Sequence, residues 1–528
     1  MSGGTLREGL LGPYHQYRGR VPCRPTPGLD DQYYLPPPAL TSVGAGRSRA
    51  RQPQGTIGMR PLLSPRVLSA MALVLMLGFL ASPNIGLWLA CLLAPPAILW
   101  ILGAKKAYPV LGWVIGMNWL AIAADLLEAD MSGRSVGEGA FGAYHEQAIL
   151  MSLCAVLAIA VGMLLGTQAG VWRVGARPRA MSPHTDVGGQ IGLHRLLVCY
   201  AGAVVVSQVL SALAAAMPTL AQPLIAFALV RYVVVYAIAA SVFESDHGYW
   251  WLILVIGGEF LVGMTAYFAD FTRPVFLMLI AMVSSRYGLA RAKSWLVGLA
   301  AVAALVWVSM VWTVIKVEYR TVMAGVPLQE RASWLADRYF SPDIDYADAA
   351  ERLVRRIGYT ELYADVLAHL DAQGISHDVD FYSAALQHVL TPRILFPDKP
   401  ALNDSTITTA LTGRSISRNT SIGVGYITQA HVDFGFPGLL LPMLAIGFML
   451  GLATEYFMTR PAPLVIRQAF ATATVFSAFP FAADIDKAMG GVITGWLAMA
   501  LVMRFIYPMV AQWGRDRRGI LAARGAPT

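Results

Sequence analysis

From Pro65 onward the chain is built of apolar runs of about 17–25 residues, and a helix of that length, rising about 1.5 Å per residue, crosses about 30 Å of hydrocarbon. Spans are expected near 66–82, 86–104, 107–125, 147–171, 196–216, 221–242, 250–270, 273–288, 295–315, 437–457, 464–482 and 489–508, twelve in all. Composition agrees. Hydrophobic residues make up 56% of the chain and charged residues only 14%, where a soluble domain carries roughly a quarter. The fold class that follows is an all-α polytopic membrane protein of about 12 transmembrane helices, with one large outer-face loop containing amphipathic helices.

The charges between the runs set a topology. Residues 1–60 hold eight prolines and ten glycines, too little apolar surface to offset the entropy of ordering, and are expected to be a disordered tail. They lack an early apolar core and cleavage site, so a cleavable signal peptide is not expected. Their arginines (Arg18, Arg20, Arg24, Arg47, Arg49, Arg51, Arg60) place this tail in the cytoplasm. Lys105-Lys106, then Arg173, Arg177, Arg179 and Arg195, then Arg286, Arg291 and Lys293, then Arg460 and Arg467 fall on the same side, as does the basic C-terminal tail. The short outer loops hold few cations, chiefly Arg134, Arg273 and Lys487. The chain then divides into a tail (1–64), nine spans (65–315), a periplasmic loop (316–436), three spans (437–510) and a basic cytoplasmic tail (511–528). The net charge of +8 lies largely in the tail and short loops and does not point to nucleic acid. Cys23, Cys91, Cys154 and Cys199 are scattered, without metal or disulfide spacing.

The loop at 316–436 holds 15 of the chain's 32 acids and 11 of its 40 bases. Apolar residues recur in it at helical spacing, as in Trp334, Leu335, Tyr339, then Leu353, Ile357, then Leu362, Val366, Leu367, Leu370, with breaks at Ser341-Pro342 and Gly374. The stretch 391–438 then turns polar and rich in Gly, Ser and Thr, and carries Arg393, Lys399, Arg414 and Arg418. Guanidinium groups beside glycine-freed amides suit phosphate oxygens, and hydroxyls suit sugars; a solvated loop of scattered charge is the bland alternative. His431 and Asp433 stand two apart just before a span, as a candidate general base or as hydrogen-bonded helix-entry residues. Arg231 and Glu259 lie about ten residues into successive spans. They form either a structural ion pair or a site in which Arg231 binds phosphate and Glu259 orients it. Arg273 sits at an outer helix end and is a further phosphate candidate. No HExxH, GxSxG, P-loop or zinc spacing occurs, which disfavours metalloprotease, serine-hydrolase and nucleotide-driven chemistry; neither cofactor nor metal is called for.

The segment TPRILFPDKP resembles the xPRxLxPxKP signature of Wzy-type bacterial oligosaccharide repeat-unit polymerases. About thirty residues on, IGVGYITQAHVDFGFPGLLLPMLAIGFMLG is similar to that family's small-residue run, FG turn and closing helix. Where family members commonly carry an acidic residue and Tyr before the FG, this chain has His431-Val432-Asp433. The resemblance covers about 380–457. It implies an inner-membrane, metal-independent glycosyltransferase, multi-pass with both termini cytoplasmic. Such an enzyme moves a growing glycan from undecaprenyl pyrophosphate to the next lipid-linked repeat unit on the outer face, in concert with flippase and chain-length-regulator proteins. On this basis Arg393, Lys399, Arg414, Arg418, Arg273 and Arg231 are the pyrophosphate and glycan candidates, with His431 or Asp433 as the base. An O-antigen ligase would use similar chemistry on another acceptor. A transporter or flippase of lipid-linked sugar predicts broken spans in matching halves and several charges at membrane depth, and a scaffold would use the loop helices for docking.

Overall fold

The computed structural model describes residues 82–103, 108–174, 192–265, 271–285, 287–322, 326–341, 343–374, 380–391, 396, 404–416, 422–476 and 483–512. All belong to the larger of the two units into which the chain divides, Ile57–Thr528. The expected N-terminal tail lies outside the described residues, as does nearly all of the C-terminal tail.

The described chain is helical, with no strand among the described residues. In order come α1 (Ile85–Leu102), α2 (Pro109–Met131), α3 (Ala143–Val174), α4 (Leu193–Ala216), α5 (Ala221–Ala228), α6 (Val230–Ser245), α7 (Tyr249–Thr265), α8 (Thr272–Ser284) and α9 (Ala292–Val322). The loop follows with α10 (Leu328–Tyr339), α11 (Tyr346–Ile357), α12 (Thr360–Gln373), α13 (Phe381–Leu390), α14 (Asp404–Thr412) and α15 (Tyr426–Gly438). The chain then returns to apolar helices α16 (Leu440–Met458), α17 (Leu464–Val475) and α18 (Ile485–Leu501). Among the described residues, eight spans are long and apolar enough to cross a membrane, one of them formed by α5 and α6 together; α7, α8 and α17 are shorter apolar helices. Trp100, Leu296, Leu299 and Leu441 are among the large apolar side chains left exposed, as expected of a surface bathed in lipid. The chain is an all-α membrane protein. Eleven of the twelve expected spans thus coincide with a helix, while the segment expected at 66–82 lies outside the described residues but for its last one.

The tightest packing joins α3 to α16. A Cβ on Gly162 would lie 2.1 Å from the Leu444 carbonyl oxygen, and one on Gly166 2.1 Å from that of Phe448. Reciprocally, a Cβ on Gly447 would lie 2.1 Å from the Ile159 oxygen, and one on Gly451 2.2 Å from that of Met163. Both glycine pairs are spaced by four, so each falls on one helix face, and the two backbones touch. Lipid gives no hydrophobic drive to helix association, so this close dispersion contact is what holds the pair.

Helix ends follow their sequence signals. Pro at the first position opens α2. The Asp345 side chain caps α11 by accepting from the Ala347 and Asp348 amides, and Arg355 and Arg356 close it at the negative end of the dipole. α12 ends at Gly374, whose left-handed φ of 61° suits a residue without a Cβ. Leu335, Tyr339, Val366, Leu367 and Leu370 are buried on the expected faces, whereas Ile357 is exposed.

Gly166→Ala is expected to lower stability by about 1–3 kcal/mol through overpacking, and Gly166→Leu to prevent assembly. Gly202→Ala on α4, where no atom lies within 4 Å of a new Cβ, is expected to be neutral or mildly stabilising. Thermal unfolding of the detergent-solubilised variants reads both.

Candidate functional site

Two carboxylates tie the loop helices in place, one from a membrane helix and one from α15. Asp125, in the C-terminal half of α2, accepts from the Tyr359 amide (2.9 Å), the Thr360 amide (2.6 Å) and the Thr360 hydroxyl (2.6 Å). It thereby caps the start of α12 from another helix, answering amides that have no partner within α12. Gly358 makes room for it, since a Cβ there would sit 1.8 Å from Asp125 Oδ1. Asp433 on α15 does the same for α13, taking the Phe381 amide at 3.0 Å and the Tyr382 amide at 2.6 Å. Burial is the largest influence on Asp433 and raises its carboxyl above the ordinary range, against the pull of those two amides. Glu128, one turn past Asp125, accepts from Arg134 and from Arg355 of α11.

The first half of α15 is framework. Val424, Tyr426, Ile427, Ala430, His431 and Val432 are buried. The Tyr426 hydroxyl donates to Asn118 of α2 (2.8 Å), its amide to the Ala483 carbonyl (2.9 Å), and the Ile485 amide to Gln429 (2.9 Å). His431 packs edge-on to Tyr363 of α12 with ring centroids 5.6 Å apart. His431 and Asp433 therefore part company: one faces α12, the other α13, and Asp433 is occupied by capping.

On the exposed side of α12, Arg414 Nε lies 2.5 Å from Asp365 Oδ2, and its guanidinium carbon stands 5.5 Å from the Phe141 ring centroid. Asp365 is buried and Arg414 half-exposed, so a fixed carboxylate aims a cation at solvent. Burial raises the Asp365 carboxyl, while Arg414 and then His369 draw it down. A small pocket next to this group is lined by Glu128, Arg134, Phe141, His145 and Glu361. Sequence reasoning picked out Arg414 but missed Asp365, His369 and Phe141. The signal for the first two was their i, i+4 spacing on the polar face of a helix whose apolar face had been recognised.

Arg231 on α6 is paired with Glu259 on α7, Nε to Oε2 at 3.2 Å, and donates to the Tyr232 hydroxyl at 3.1 Å. The Arg273 guanidinium carbon stands 6.0 Å from the same Tyr232 ring, so the structure brings these two arginines to one residue. The buried pair satisfies the charge balance that an arginine at this depth requires. Arg393, Lys399 and Arg418 lie outside the described residues, as does most of the TPRILFPDKP segment. Among the described residues no group of three or more His, Cys, Asp or Glu is placed to hold a metal ion.

Fold and site together define a helical membrane protein carrying a cap of docked amphipathic helices. No protein-family model, curated protein or solved structure matches the chain.

Asp433→Ala is expected to cost about 0.5–2 kcal/mol and Asp433→Asn much less, because the amide oxygen still accepts from the α13 amides. Asp125→Ala leaves buried amides of α12 unanswered at about 1–3 kcal/mol each, so it is expected to be the more damaging. Limited proteolysis of the 316–436 segment, set beside thermal unfolding, checks the order.

Proposed function

We propose that the chain polymerises undecaprenyl-pyrophosphate-linked oligosaccharide repeat units by glycosyl transfer. In this account it sits in the bacterial inner membrane with both termini cytoplasmic and the loop helices on the periplasmic side. The observation that carries it is the half-exposed Arg414, anchored on buried Asp365 within the same polar stretch that holds the proline-spaced TPRILFPDKP segment. A polyprenyl pyrophosphate presents its charge at the membrane surface, next to helices docked on the span ends. As the anomeric C–O bond breaks, negative charge grows on the pyrophosphate, and prepositioned guanidinium groups lower the energy of that state without reorganising. Arg393, Lys399 and Arg418 flank Arg414 in sequence and are assigned to the same anion. The Arg231–Glu259 pair and Arg273 are assigned to the donor pyrophosphate as well, with Glu259 orienting Arg231.

In a deletion strain, single lipid-linked repeats are expected to accumulate, wild type to restore long chains, and Arg414→Ala or Arg393→Ala to fall short at equal membrane level. Unchanged chain length in the deletion would remove the polymerase assignment. Normal polymerisation by both variants would remove the anion site but leave the activity.

A further inference from the structure

The transfer proposed above requires a group to accept the proton of the attacking hydroxyl, and the imidazoles of α12 and α15 differ in what they face. His431 is buried against Tyr363. His369 is only partly buried, lies one turn after Asp365 on α12, and makes no hydrogen bond among the described residues. Gly413 rides over its ring: a Cβ there would be 2.7 Å from Cε1 and 3.0 Å from Nδ1, and the φ of +67° at this position favours glycine as well. Arg414 follows at once, held by Asp365 and lying over the Phe141 ring. Asp365 fixes the guanidinium directly, and the imidazole one turn further along α12 draws its carboxyl down.

We propose that the face of α12 bearing Asp365 and His369, closed by Gly413 and Arg414, is the acceptor-sugar site, with His369 as general base. This rests on the glycosyl-transfer function proposed above and adds the acceptor's place to it. The acceptor hydroxyl oxygen attacks the anomeric carbon of the donor while its proton passes to the His369 imidazole. The anomeric C–O bond to pyrophosphate breaks, and its electron pair leaves with the polyprenyl pyrophosphate, whose added charge is met by Arg414. The imidazolium then releases its proton to water. The site is partly open to solvent, so a sugar can enter without displacing the buried framework of α15.

The test uses the purified full chain in nanodiscs with an undecaprenyl-pyrophosphate-linked repeat unit as substrate. Two readouts are taken for His369→Gln and His369→Asn: turnover, and the rise in melting temperature caused by undecaprenyl pyrophosphate. A positioned base contributes about 10²–10⁴-fold, so turnover is expected to fall by about that factor while the melting shift stays at the wild-type value. Turnover within threefold of wild type in either variant overturns the assignment of His369. Loss of turnover and melting shift together in both variants also overturns it, because His369 is then a structural residue. If wild type itself forms no polymer, the polymerase function fails first and the acceptor site with it.

Discussion

The contact on which the rest of the molecule depends contains almost no side chain. Where Gly162 and Gly166 of α3 meet Gly447 and Gly451 of α16, each backbone occupies the space a Cβ would need on the other. That clasp aligns two chain segments that are far apart in sequence. α3 is preceded by Phe141 and opens with Tyr144 and His145, which reach Arg414, Asp371 and Thr360 respectively. α16 is preceded by α15, which carries His431 and Asp433. A side chain inserted in the clasp would move these two ends apart and disturb every loop helix docked between them.

The docking combines buried apolar faces with polar contacts at helix termini. A helix start exposes several amides without internal partners, and here Asp125 and Asp433 supply acceptors from neighbouring helices. Such a cap has a direction as well as an energy, because the carboxylate must lie on the axis of the helix it closes. α12 and α13 are thereby oriented by one aspartate each. α12 also carries buried Asp365 and partly buried His369 next to half-exposed Arg414, so the frame and the proposed chemistry share a helix.

Much of the architecture could be read from the sequence because hydrophobic length is a one-dimensional property. The spans expected at 86–104, 107–125 and 147–171 fall on α1, α2 and α3, and the loop periodicity around Leu335 and Val366 falls on α10 and α12. The site was less legible. The Gly162/Gly166 and Gly447/Gly451 spacings are visible in the sequence, but a small-residue face does not name its partner. Asp433 is a candidate base in sequence because it stands two residues from His431 just before a span; its actual partners, the amides of Phe381 and Tyr382, lie some fifty positions away. Asp365 and Arg414 are also separated by about fifty positions, and only the packing of α12 against α14 explains their pairing.

The most direct measurement of the central claim is reconstitution of the purified protein with a lipid-linked repeat unit as the sole substrate, followed by mass analysis of the lipid-linked products. Products lengthened in whole repeat units, with release of undecaprenyl pyrophosphate, are the predicted result. A folded protein, confirmed by its melting curve, that leaves the substrate at one repeat would contradict the account.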